Sequence, residues 1–210
     1  MRLTVVSAGL STPSSTRLLA DRLTEAVRAR LPEAEVEVVE LRGLALDIAK
    51  HLVTGFPPAA LGSALDAVAG ADGLIAVTPV FNASYSGLFK SFFDLVDRDA
   101  LNGTPVLLAA TGGTARHSLV LDHALRPLFA HLRAQPTATA VYAASEDWGS
   151  PGPDASGYGE GLASRVDRAA GELAARMTAR PARPGAPGRR ALRTAPGPAG
   201  RLTAGGYSWV

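Results

Sequence analysis

Short unbroken apolar runs along this chain alternate with apolar stripes at helical spacing. Leu3-Thr4-Val5-Val6-Ser7 predicts a first strand, and Leu19, Leu23, Val27 and Leu31 predict a helix that stops at Pro32. Residues 35–41 alternate acidic and apolar, the pattern of a strand with one wet face at or near a sheet edge. Residues 42–60 carry a short apolar cluster and the breaker Gly55-Phe56-Pro57-Pro58, which predicts a short helix and then a long irregular connection. A helix over 61–69, a fully apolar strand over 73–77, a helix over 88–96 and a second fully apolar strand over 105–110 follow. Pro127 interrupts the next helical stripe and predicts a kink or a fresh start near Arg126. A fifth strand over 137–143, a Gly- and Pro-rich loop over 146–158 and a helix over 162–177 complete the pattern.

Five strands alternating with helices, three of them continuously apolar, imply a parallel sheet covered on both faces. The size and rhythm match a flavodoxin-like three-layer α/β sandwich of strand order 2-1-3-4-5 better than a six-stranded dinucleotide fold. The domain is expected over residues 1–179. Residues 180–210 are dominated by Pro, Gly, Ala and Arg and read as a disordered tail.

Composition and charge narrow the function. The chain has no cysteine, which excludes disulfides, thiolate nucleophiles and iron–sulfur ligation. His51, His117, His123 and His131 show no dense ligand spacing, so no metal site is expected. No apolar run reaches the length of a spanning helix and no signal peptide is evident, which leads to an expectation of a cytoplasmic protein. From Arg180 onward there are six arginines and no acid, so the net +2 of the chain leaves −4 for residues 1–179. The basic character belongs to the tail, and a mildly acidic body argues against a specific nucleic-acid face.

The candidate chemistry sits in three loops. Thr78-Pro79-Val80-Phe81-Asn82-Ala83-Ser84-Tyr85-Ser86-Gly87 combines a stiff turn, two flat aromatic surfaces and an amide that both donates and accepts. Its residues suit a planar heterocycle with polar edges, and they equally suit an ordinary strand-to-helix turn. Ser7, Ser11, Thr12, Ser14, Ser15 and Thr16 precede a helix, where hydroxyls and free amides at the positive end of the dipole suit a phosphate monoester. A simple N-cap accounts for one of these hydroxyls. Neither Gly-x-Gly-x-x-Gly nor Gly-Lys-Ser/Thr is present. The third loop, Thr111-Gly112-Gly113-Thr114, offers bare backbone amides. In a parallel sheet the three loops share one edge, where such folds bind ligands.

The ordered combination of the serine-rich loop, Pro79-x-Phe81-Asn82-x-Ser84-x-x-Gly87-x-x-Lys90 and Thr111-Gly112-Gly113 resembles the NAD(P)H-dependent FMN reductase family over residues 3–177. The resemblance implies hydride transfer from NADPH or NADH to FMN. It places the FMN phosphate on Ser11, Ser14, Ser15 and Thr16, the ring system against Pro79, Val80, Phe81, Asn82 and Ser84, and the pyrimidine edge against Thr111, Gly112 and Gly113. Amides there would stabilise the negative charge that develops on reduction. No side chain is required as acid or base, because the cofactor carries the chemistry. The chain departs from the family pattern with Thr12 or Pro13 where many members have an arginine, Phe81 for Tyr, and Ser86 for Pro.

His117 and Leu125-Arg126-Pro127-Leu128 resemble the subgroup whose reduced flavin serves a flavin-dependent monooxygenase. His117 itself reads either as a contact to flavin or nicotinamide phosphate, or as a solvated or capping residue. A flavodoxin-type electron carrier and a quinone or azo reductase remain alternatives on the same fold. The apolar arc of the 88–96 helix is wider than one core face needs, and its edge near Phe93 predicts a homodimer or a dimer of dimers.

Overall fold

The computed structural model describes residues 1–148 and 161–180. Along the chain the elements are β1 (Arg2–Ser7), α1 (Ser15–Arg28), β2 (Glu35–Glu40), α2 (Leu41–Thr54), α3 (Ala59–Ala69), β3 (Gly73–Phe81) and β4 (Ser84–Tyr85). They continue with α4 (Gly87–Phe93), β5 (Pro105–Gly112), α5 (Arg126–His131), β6 (Gln135–Pro136), β7 (Val141–Ala144) and α6 (Leu162–Ala179). Strands β2, β1, β3 and β5 lie side by side in parallel, with β6 and β7 both parallel on the far side of β5 and β4 antiparallel on the end of β3. The flavodoxin-like order 2-1-3-4-5 is therefore present, with β6 and β7 as two pieces of its fifth strand and β4 as an added hairpin arm.

The central strands are apolar throughout because alternate side chains enter different cores. Leu74 and Ala76 of β3 join Val106 and Leu108 of β5 beneath α2, α3, α4 and α5. Their neighbours Ile75, Val77, Leu107 and Ala109 pack instead against Leu19, Leu23, Ala169 and Leu173 of α1 and α6. Strand β2, at the margin, keeps the alternating acids Glu35, Glu37 and Glu40 exposed.

Four details differ from the sequence expectations. The irregular connection expected within 42–60 is only residues 55–58, because α2 runs for 14 residues. It ends at Gly55, whose φ of 74° suits glycine and whose amide donates to the His51 carbonyl at 2.8 Å. The fifth strand is split because side chains serve its backbone over 137–140. Arg126 donates to the carbonyls of Thr137 (3.0 Å) and Ala138 (2.7 Å), and the Thr139 amide donates to Glu172 at 2.8 Å.

Strand β3 runs past residue 77 to Phe81 and turns through Asn82 and Ala83, both at positive φ, into β4. Finally, Phe93 is no surface edge. It is 1% exposed, and its ring centroid lies 5.0 Å from Phe129 and 4.6 Å from Phe89, so α4 is a deep core helix. Exposed apolar side chains lie elsewhere, on and just after α2, at Leu46, Val53 and Phe56.

The restart at Arg126 takes the form of a π-helical turn over Leu121–Leu125. Pro127 has no amide, and its ring would press on the carbonyl of His123 four residues back. The wider turn, closed by the Arg126 amide on the Leu121 carbonyl, relieves that clash. No single helix among the described residues is long and apolar enough to cross a membrane. The tail expected from residue 180 lies, beyond Arg180, outside the described residues. The same is true of residues 149–158 of the loop expected over 146–158.

Candidate functional site

The carboxyl ends of β1, β3 and β5 stand in register, with Ser7 beside Val77 and Pro79 beside Thr111. The three loops singled out above are brought together at this edge.

After β1 the chain passes through Ala8, whose amide donates to the Val77 carbonyl at 3.0 Å, and turns into α1. Ser14 is the N-cap, its hydroxyl accepting from the Arg17 amide at 3.2 Å. A Cβ added to Gly9 would lie 2.1 Å from the Ser14 hydroxyl oxygen, so the close fold of this loop requires glycine there. The first-turn amides of Ser15 and Thr16 have no acceptor among the described residues, and the Ser11 and Ser15 side chains are exposed. Thr16 differs from the others. Its hydroxyl is buried, 2.8 Å from that of Thr111, so it ties the first loop to the third and presents only its amide to the mouth.

Positive charge reaches this loop from outside it. Arg42, in the first turn of α2, donates to the Thr12 hydroxyl. Sequence reading missed this guanidinium because it lies thirty residues from the Thr12 hydroxyl it meets. Arg17 is nearer in sequence but already occupied. Its hydrogen bond to Asp21, with Glu40 also against it, raises it above its ordinary value and holds it as an ion pair.

The second loop is a tight hairpin. Phe81 pairs with Ser84 and Val80 with Tyr85, leaving Asn82 (φ 48°) and Ala83 (φ 63°) as the two turn residues. Pro79 and Val80 are half-buried, whereas Phe81 is 46% exposed and stands at the tip with Asn82. Thr78 anchors the base, its hydroxyl accepting from the Ser86 amide at 3.0 Å. Ser86 is explained by its own work: it is the N-cap of α4, accepting from the Phe89 amide at 3.2 Å.

In the third loop Gly112 and Gly113 differ. A Cβ on Gly112 would lie 2.0 Å from the Tyr142 hydroxyl oxygen, whereas a Cβ on Gly113 would meet only open space. Tyr142 donates to the Thr114 carbonyl at 2.8 Å and so pins the loop from below. Burial, with Glu146 and Asp147 nearby, pushes its hydroxyl above the ordinary value, which keeps it a donor. The amides of Gly113 and Thr114 have no acceptor among the described residues.

The donor set fits FMN. Free first-turn amides, two exposed serine hydroxyls and a guanidinium suit a phosphate monoester, a hairpin wall of Pro79 to Asn82 suits a flat ring, and bare amides with open space at Gly113 suit its polar edge. Fold and site thus define a flavodoxin-like α/β protein built to hold a phosphorylated planar cofactor at the carboxyl edge of its sheet.

Comparison with known proteins makes the assignment specific. The sequence profile of the family described as NADPH-dependent FMN reductase matches residues 1–149, and the chain belongs to that family. It is similar to the FMN reductase (NADPH) of Pseudomonas aeruginosa, at 44% identity over 147 residues covering 70% of this chain and 78% of the relative. Among solved structures it is similar to an oxidoreductase from Corynebacterium diphtheriae, at 47% identity and a TM-score of 0.78, covering 84% of this chain and 96% of the other. A second is the apo form of an NADH:FMN oxidoreductase, at 30% identity and a TM-score of 0.69, covering 82% and 89%. The protein is accordingly an oxidoreductase that uses NAD(P)H and FMN.

Proposed function

We propose that the three loops divide the work on FMN. Ser11, Ser15 and the amides of Ser15 and Thr16 take the phosphate, with Ser14 shaping the loop as N-cap and Arg42 supplying the positive charge. Pro79, Val80, Phe81, Asn82 and Ser84 border the ring, and Thr111, Gly112 and Gly113 face its pyrimidine side. The observation that carries this reading is the register of Pro79 beside Thr111, which sets the ring wall and the amide donors on adjacent strands.

FMN held by these loops would supply the hydride-accepting chemistry, with the nicotinamide nucleotide as the donor. The hairpin after β3 would border the ring, and the amides of Gly113 and Thr114 after β5 would supply preorganised dipoles for the charge that develops there. None of the three loops carries a carboxylate or thiol, so proton transfer by such a group is not part of this reading. Arg42, bonded to Thr12, would supply the charge that the family pattern places on an arginine inside the loop.

The reduced flavin is then passed to a flavin-dependent monooxygenase or another acceptor. The working unit is proposed to be a homodimer whose contact is the exposed Leu46, Val53 and Phe56 surface, not the buried Phe93. The folding unit is proposed as residues 1–180. Arg180 closes it, donating to Thr104 at 3.2 Å and to the Asn102 carbonyl at 3.2 Å, so a truncation is best made after Arg180.

The test is FMN titration with parallel NADPH and NADH oxidation. Wild type should bind FMN and oxidise at least one nucleotide. Replacing Ser11 and Ser15 by Ala, or Arg42 by Ala, should weaken FMN binding about ten-fold each, the loss of hydrogen bonds to a charged group. Unchanged affinity in all of them would refute the phosphate assignment, and tight FMN without nucleotide oxidation would identify an electron carrier instead.

A further inference from the structure

Beside the ring wall lies a cleft of about 310 Å³ that shares only Ser84 with the flavin assignment and is lined among others by Arg116, His117, Val120 and His123. Its two sides continue the two loops assigned to the ring. Ala83 and Ser84 complete the hairpin begun by Pro79 to Asn82, and Arg116 and His117 form a 3-10 turn immediately beyond Gly112 and Gly113. The floor is the start of the helical segment that carries the π turn, whose third residue is His123. The cleft therefore begins where the ring site ends.

Its charge is one-sided. Arg116, His117 and His123 are exposed, and none has a carboxylate partner in an ion pair among the described residues. Two nearby acids, Asp122 on the π turn and Glu146 on the turn after β7, are already engaged. Asp122 is paired with Arg126 at 2.8 Å, and Glu146 accepts from the Ala115 amide at 3.4 Å. Thr114 caps the 3-10 turn, its hydroxyl accepting from the Arg116 amide at 3.2 Å, which fixes the backbone that carries both basic side chains. A guanidinium, two imidazoles and a serine hydroxyl around one concavity form a site for a phosphate dianion.

We propose that this cleft is the subsite for a phosphate group of the nicotinamide nucleotide, with Arg116 as its principal anchor and His117, His123 and Ser84 completing it. The proposal rests on the flavin assignment above. Nicotinamide must lie on the flavin ring for hydride transfer, so the remainder of the dinucleotide leaves the ring along its open side. The cleft is the basic surface next to both ring-bordering loops. Arg116 then governs nucleotide affinity without touching the flavin.

The test compares Arg116→Ala and Arg116→Lys with wild type, using calorimetric binding of adenosine 2′,5′-bisphosphate and of ADP, FMN titration, and steady-state kinetics. Arg116→Ala should weaken binding of at least one of the two adenine nucleotides and raise the KM for NADPH about ten-fold, with kcat and FMN affinity unchanged. Arg116→Lys should recover part of the loss, since it keeps the charge and loses the fork. If the bisphosphate alone is affected and the KM for NADH stays fixed, the anchored group is the 2′-phosphate. If ADP binding weakens and both KM values rise together, it is the pyrophosphate. Unchanged nucleotide binding and KM would overturn the proposal, as would a parallel fall in FMN affinity. Failure of the flavin assignment is distinguishable, since wild type itself would then bind no FMN and oxidise no nucleotide.

Discussion

The hydroxyls of Thr16 and Thr111 meet 2.8 Å apart in the interior, joining the first turn of α1 to the strand end that carries the paired glycines. One hydrogen bond thus ties the serine-rich loop to the loop of Gly112 and Gly113, the two parts of the site proposed above for phosphate and ring. Replacing either threonine by valine strands the other hydroxyl in an apolar setting and should cost about 1–3 kcal/mol, whereas replacing both should be close to neutral. A double-mutant cycle by chemical denaturation measures the coupling. Additive single losses would show that the two hydroxyls act independently.

Gly112 is required by Tyr142. An alanine Cβ would sit 2.0 Å from the tyrosine oxygen, so Gly112→Ala must displace the ring that holds the Thr114 carbonyl. The substitution should destabilise by about 1–3 kcal/mol and lower FMN affinity. Adding Tyr142→Phe, which removes the clashing oxygen, should restore part of the stability lost. Thermal melts of the three variants check this, and a double variant no better than Gly112→Ala would exclude the steric cause.

Ala83 occupies a left-handed conformation that glycine adopts freely and alanine does not. Ala83→Gly should stabilise by up to about 1 kcal/mol, the relief of strain less the added chain entropy. The denaturation midpoint reports it. Destabilisation would mean that the strain at the turn is negligible.

Burial would raise the Glu172 carboxyl, but the hydroxyl and amide of Thr139, the Ala138 amide and Arg176 outweigh it and hold the group below its ordinary value. A depressed carboxylate stabilises the fold fully above its unfolded pKa and loses that contribution as pH falls through its folded value. Between about pH 6 and pH 3, Glu172→Gln should flatten the acid side of the stability curve. Stability measured against pH for both proteins tests this, and superimposable slopes would reject it.

The central strands, α1 and the order of the sheet were legible in the sequence because they rest on periodicity: β3 and β5 are apolar on both faces, and β2 alternates. What stayed hidden depended on long-range partners. The break in the fifth strand comes from Arg126 and Glu172 reaching across to its backbone, and no local pattern at 137–140 announces it. The hairpin at Asn82-Ala83 was masked because alanine stands where glycine would have signalled the turn. The apolar arc of α4 is as wide as its periodicity shows, and its extra face meets Phe129 within the chain. Of the candidate site, the three loops and their meeting at one sheet edge were readable. Arg42 was not, since only the fold brings the first turn of α2 against Thr12.

The broken fifth strand also bears on how the protein survives its own folding. A parallel sheet assembles slowly and offers unpaired margins to other chains while it forms. One margin here carries the carboxylates of Glu35 and Glu37, and at the other the carbonyls of Thr137 and Ala138 are already occupied by Arg126. Pro136 contributes no amide there. An incoming strand therefore meets like charge on one side and an interrupted ladder on the other, so the irregularity that breaks the sheet also guards it against templated aggregation.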